Sequence, residues 1–240
     1  MKKLIPAILC VFILNSACSV TQEVFLQRDG GGTIHVEIEL HDMILSYARD
    51  IYGGFTADTK EIVLFDTAAV EAFFLKNPSA ELKDLKNPSA GTLILDAEFS
   101  DPRKLLDQDA YDLPPVVSVT KKAGITAVVF TLTPENTRIL TDPVSLTDSE
   151  LIAVFGPQSG KPYSEEEYSE LLDYAFAEYL DEGGAAGVLS SAVVNVRVRT
   201  EGEIVAVTGG VLRGGSALFT LPFIDIVTMK EPIVLSVSYK

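Results

Sequence analysis

Tryptophan is absent from this 240-residue chain, histidine and cysteine occur twice each, and lysine plus arginine number 19 against 34 acidic residues. Each shortage removes a class of function. A formal charge of −15 repels nucleic-acid phosphates and anionic head groups, so neither DNA nor RNA is a fitting partner. With His35 and His41 the only histidines, and Cys10 and Cys18 the only cysteines, Ser-His-Asp, Cys-His and zinc chemistry have little to draw on. A lattice of disulfide staples is excluded as well. The chain must hold by its core, and at this length most of the unfolded surface can be buried.

Long apolar runs are missing too. The longest, Leu4 to Leu14, is broken by Pro6 and falls short of the roughly 20 residues a spanning helix needs. It follows the basic start Met1-Lys2-Lys3 and precedes the small or polar Asn15-Ser16-Ala17, the order and size of an export signal. Export discards Cys10 and leaves Cys18 alone. A lone thiol at the start of an exported chain has no disulfide partner and makes sense as an acylation site.

The run ending in Ser16-Ala17-Cys18 resembles the lipobox of bacterial lipoproteins, with Asn15 where that family usually has leucine. The resemblance implies cleavage after residue 17, a diacylglyceryl thioether on Cys18 and acylation, by palmitate or a similar chain, of the new amino terminus. The competing reading is an ordinary signal peptide cut near Ala17, with Cys18 a free thiol. The expected organisation is a signal peptide over 1–17, a lipidated tether over 18–22 and a single domain over 23–240, facing the periplasm or cell surface. Losing Lys2 and Lys3 with no acid takes the formal charge from −15 to −17. Attachment must then come from acyl chains, since no basic face exists, and two or three chains anchor stably where one is marginal.

Along the body, Thr21 to His41 patterns as two strands joined at Asp29-Gly30-Gly31-Gly32. Met43 to Gly54 and Thr67 to Asn77 pattern as helices. The hexapeptide LKNPSA occurs at Leu75–Ala80 and again at Leu85–Ala90; two copies are too few for a solenoid, and proline predicts a helix stop in each. Gly91–Phe99 predicts a strand, Ser100-Asp101-Pro102 a short helix, and Pro115–Pro134 a hairpin turning at Lys121–Gly124. Capping boxes stand at Thr147/Glu150 and Ser164/Glu167. From Val188 onward short alternating runs predict strands, with Val194, Val196 and Val198 opposed to Asn195, Arg197 and Arg199. The expected fold is α+β, a mostly antiparallel sheet of N-terminal hairpin and C-terminal meander packed with several central helices.

Chemical motifs fail on inspection. His35, Glu37, Glu39 and His41 share one strand face, but the two histidines would stand about 20 Å apart and cannot share a metal. Gly156–Pro162 is one residue short of a phosphate loop and has Pro162 where Ser or Thr belongs. Ser118–Lys121 matches Ser-x-x-Lys without its companion motifs. No catalytic residue, metal site or cofactor is assigned. Paired carboxylates remain open in so acidic a chain.

The remaining feature is Ser216 to Pro232, where Phe219, Leu221 and Phe223 alternate and Ile224 and Ile226 continue the apolar character. A core strand plus loop accounts for it; so does a hydrophobic lip for an acyl chain or partner. The lipobox, the strand pair about Asp29–Thr33, the central helices and the Val196–Gly210 meander together resemble LppM-type lipoprotein ectodomains, which implies an α+β module that handles lipid. The expectation is a non-enzymatic envelope lipoprotein, anchored through Cys18, that binds an apolar ligand or an envelope protein by Phe219, Leu221, Phe223, Ile224 and Ile226. The alternatives are a structural envelope protein without ligand and a carboxylate-based hydrolase.

Overall fold

A computed structural model describes residues 19–53, 64–104, 113–137, 154–158, 161–180 and 183–240. Cys18, the leader and the capping box at Thr147 lie outside them. The fold is α+β, as the patterning predicts. The hairpin β1 (Ser19–Leu26) and β2 (Gly32–Glu39) opens the chain, followed by helices α1 (Asp42–Gly53) and α2 (Thr67–Lys76), then β3 (Ala80–Ser89) and β4 (Thr92–Phe99). A single 3-10 turn, Pro102–Lys104, precedes the hairpin β5 (Val117–Lys122) and β6 (Ile125–Leu132). Helices α3 (Glu165–Ala175) and α4 (Gly184–Ser191) lead to β7 (Val193–Thr200), β8 (Ile204–Thr208), β9 (Val211–Arg213) and β10 (Ser216–Pro222). The short helix α5 (Phe223–Val227) and β11 (Ile233–Tyr239) end the chain.

The C-terminal strands do not form one meander. They divide between a seven-stranded sheet, β3-β4-β2-β1-β7-β10-β9, and a four-stranded one, β5-β6-β11-β8. Among the described strands β1 and β7 pair in parallel, and the other pairings are antiparallel. Alternation tells which face of a strand is dry, but not which of two sheets it joins.

The dry face of the large sheet is covered in two halves. Val24, Leu26, Val194, Val196, Val198, Ala217 and Phe219 pack against Val128, Phe130, Leu235, Val237 and Tyr239 of the small sheet. Ile34, Leu95 and Ala97 pack beneath Val70 and Phe74 of α2, which sit one helical turn apart on its inner face. A third core holds the other helices together: Met43 from α1, Tyr168 and Leu172 from α3, Ala185 and Leu189 from α4, Val227 from α5, and Phe176.

The repeated hexapeptide takes two structures. At the first copy α2 stops at Lys76 and Asn77 turns extended, φ −100° and ψ 98°, because Pro78 disfavours the helical state before it. The second copy lies in β3, where Leu85 packs toward α2; the expected second helix stop is corrected to a strand end. Pro88 is tolerated because β3 is an edge strand, where a missing N–H costs no ladder bond.

A second correction falls at Val188–Ser191, which closes α4 instead of opening a strand. Small residues before it allow the turn, Ala185 and Leu189 bury one turn apart, and the Asp173 Oδ1 accepts from the Ala185 N–H at 2.7 Å. The β5–β6 turn falls one residue later than expected, on Ala123 and Gly124 at φ 51° and 78°, the pair of positive φ angles of a two-residue I′ hairpin. The capping box at α3 is present in both directions: the Ser164 side chain accepts from the Glu167 N–H, and the Glu167 carboxylate accepts from the Ser164 N–H.

Candidate functional site

Strand β1 is the first of the described elements. Ser19 already pairs with Glu39 of β2 and with Val193 of β7. Residues 19–22, expected in a tether, are therefore ladder residues of an interior strand. Around Ser19 at this end of the sheet stand Thr92 of β4, Glu39, Val193 and Pro222 of β10. Helices α1 and α5 start, and α4 ends, within three residues of these positions. The helical lobe therefore caps the end of the sheet at which β1 starts.

The five residues of the apolar stretch separate. Phe219 and Leu221 are 3% and 9% exposed and fill the core between the sheets. Past Pro222 the chain turns into α5, so the spacing changes from two to about 3.6 residues. Phe223 and Ile224 face the helical core and Ile226 the sheet core, each half-buried. They do not form one continuous lip. Leu221 alone of the five reaches an open groove of about 440 Å³, bordered by Tyr163, Asp225, Met229, Glu231 and Ile233. Its lining mixes charged with apolar side chains, and sequence periodicity had no means to find it, since it joins the start of α3 to one distant segment, Leu221 to Ile233.

Acids gather on the open face of the large sheet. Glu81 stands opposite Glu98, and Asp84 opposite Asp96, like-charge neighbours that would destabilise a bare ladder. Cations sit between them. Lys83 reaches Glu81 at 2.8 Å and Glu98 at 3.1 Å, and those hydrogen bonds hold its ammonium above the ordinary lysine value. Lys86 pairs with Asp84 and draws that carboxyl below its ordinary range. The His35 Nδ1 lies 2.8 Å from Asp96. A proton shared by two carboxyls needs them face to face with no cation between, and here the cations intervene.

His41 leaves the strand face on which alternation put it. Strand β2 ends at Glu39, and the His41 Nδ1 accepts from the Met43 N–H at 3.1 Å, at the start of α1. No group of three metal-ligating side chains occurs among the described residues. No helix among them is long and apolar enough to cross a membrane.

In the helical lobe Tyr47 meets Phe176 and Tyr179 edge to face, at centroid distances of 4.7 and 5.9 Å. The Tyr179 hydroxyl donates to Asp50 at 2.7 Å, and that bond, with burial second, pushes the phenol up to about 12. The folded state thus keeps a proton that the unfolded chain loses near pH 10. Tyr179 supports the lobe fully below about pH 10, and its support drains away as the pH climbs toward about 12. A difference absorbance titration of the native protein against Tyr179→Phe isolates this phenol; Asp50→Asn should bring its ionisation back toward pH 10, and an unchanged midpoint would show that Asp50 does not hold it.

No family model matches the chain, and no curated protein matches it. Among solved structures, the NMR structure of the folded domain of LppM from Mycobacterium tuberculosis is similar to it at a TM-score of 0.41 and 11% identity, over 94% of this chain and 91% of that one. An M1 zinc metallopeptidase from Deinococcus radiodurans is similar at a TM-score of 0.28 and 9% identity, over 93% of this chain and 42% of the peptidase. Likenesses this loose leave the function to be argued from the chain's own residues.

Proposed function

We propose that this chain is an envelope lipoprotein, held to a membrane by acyl chains on Cys18, whose acidic α+β domain is a binding module and not an enzyme. One observation carries the reading: a basic start, an apolar run and the small Ser16-Ala17 lead straight into Cys18, and the next residue, Ser19, starts β1. A cysteine at that junction has no disulfide partner left, and the −17 body offers no cationic face by which to sit on a bilayer. The groove beside Leu221 is the place where an apolar ligand or a segment of an envelope protein would bind, Leu221, Met229 and Ile233 offering apolar contacts and Glu165, Asp225, Lys230 and Glu231 charged ones.

Cells fed radiolabelled palmitate are expected to incorporate label into the native chain and to lose both label and membrane sedimentation in Cys18→Ala. Equal labelling of the two chains would remove the anchoring half. For the ligand half, native mass spectrometry of the domain with oleate added is expected to show one bound molecule, reduced by Leu221→Asn. An empty spectrum would count against the lipid-ligand half.

A further inference from the structure

We infer that the end of the large sheet around Ser19 lies against lipid head groups, so that this face of the domain is a bilayer-contact surface and the opposite turns point away from the membrane. The inference rests on acylation of Cys18, and adds to it the absence of any spacer. Consecutive α-carbons are about 3.8 Å apart, so Ser19 stands within about 4 Å of the residue that would carry the acyl chains. Slack cannot come from β1. It lies inside the sheet, and freeing Ser19 to Gln22 would break two ladders at once, toward Glu39–Val36 on one side and Val193–Val196 on the other. Anchor and sheet are mechanically one piece.

The charges make this orientation informative. The lobe that caps the Ser19 end exposes Glu165, Glu166, Glu170, Glu178 and Asp225. At the other end of β1, about 25 Å away at some 3.3 Å per residue, the charges nearly balance: Arg28, Lys121, Lys122 and Lys240 stand with Asp29, Glu201 and Glu203 around the turns, where Lys121 donates to the Asp29 carbonyl at 3.2 Å, Lys240 pairs with Glu203 at 3.1 Å and Tyr239 donates to the Gln27 carbonyl at 3.0 Å. Free in solution, a body so charged would turn its less acidic end to an anionic bilayer. The short anchor imposes the reverse, and the acidic lobe is held where head groups repel it.

Full-length chain purified from membranes can be tested with one added thiol, since acylation removes that of Cys18. Glu39→Cys marks the Ser19 end and Lys122→Cys the far end; both side chains are exposed. Each is coupled to a fluorophore and reconstituted into phosphatidylcholine vesicles carrying a nitroxide on the head group. Quenching at position 39 is expected to exceed that at 122 several-fold, and fifteen Gly/Ser residues inserted between Cys18 and Ser19 should erase the difference. Equal quenching in palmitate-labelled chains without the insert overturns the orientation alone. A chain that bears no palmitate and stays off the vesicles overturns the anchoring reading, and this inference with it.

Discussion

Phe219→Ala is expected to lower the folding free energy by about 3–5 kcal/mol, the range for removing a buried aromatic ring. Phe219 is 3% exposed and stands where both sheets meet, among Val196 of β7, Val237 of β11 and their neighbours. No flexible surface is at hand to collapse into the space, so the void persists. Domains of this kind are stable by about 5–15 kcal/mol in total, and the variant should unfold at markedly lower urea. Phe223→Ala, one step past the turn into α5 and half-buried, should cost less. Equal losses at the two positions would contradict the division of the apolar stretch into core strand and surface helix.

Gly32→Ala is expected to cost about 3 kcal/mol or more, at or beyond the upper end of ordinary overpacking. A β-carbon there would lie 2.0 Å from the Phe25 carbonyl oxygen and 2.7 Å from the Phe99 ring. The oxygen belongs to the β1–β2 ladder, so relief requires the central hairpin to part. Gly30, two residues earlier, has φ 107° and nothing closer than 3.9 Å; Gly30→Ala should cost only the strain of a positive φ, about 1–2 kcal/mol. Urea unfolding of the two variants checks the order. If Gly30→Ala proves the costlier change, conformational freedom, and not close approach, is what this loop requires.

Those two glycines show how much of the molecule was legible. The Asp29–Gly32 run announces a reversal, and the reversal is there, with Gly31 N–H donating to Asp29 Oδ1 at 2.9 Å. That one glycine is needed for its φ and another for its missing side chain depends on Phe99, far along the chain. Local signals were enough where they acted alone: the Ser164 capping box, the stop before Pro78, the alternation of β7. They misled where a partner decides. LKNPSA ends a helix once and a strand once: Leu75 lies in α2 itself, whereas Leu85 lies in β3 and packs toward α2. Val188–Ser191 looked extended by composition, and burial of Leu189 against the helical core makes it a turn of α4. Of the candidate site, the proposal for Cys18 rests on its neighbours in the sequence alone. The groove beside Leu221 was not legible there, since Tyr163 and Ile233 meet only after folding.

Attachment of the domain depends on the chemistry of one sulfur atom and on β1 starting one residue later. Intact-mass measurement of the mature protein extracted from membranes addresses it most directly. The predicted mass is that of residues 18–240 plus a diacylglyceryl group, with a further fatty acyl group where the amino terminus is modified. A mature chain whose mass is that of the bare polypeptide, recovered without detergent, would contradict it.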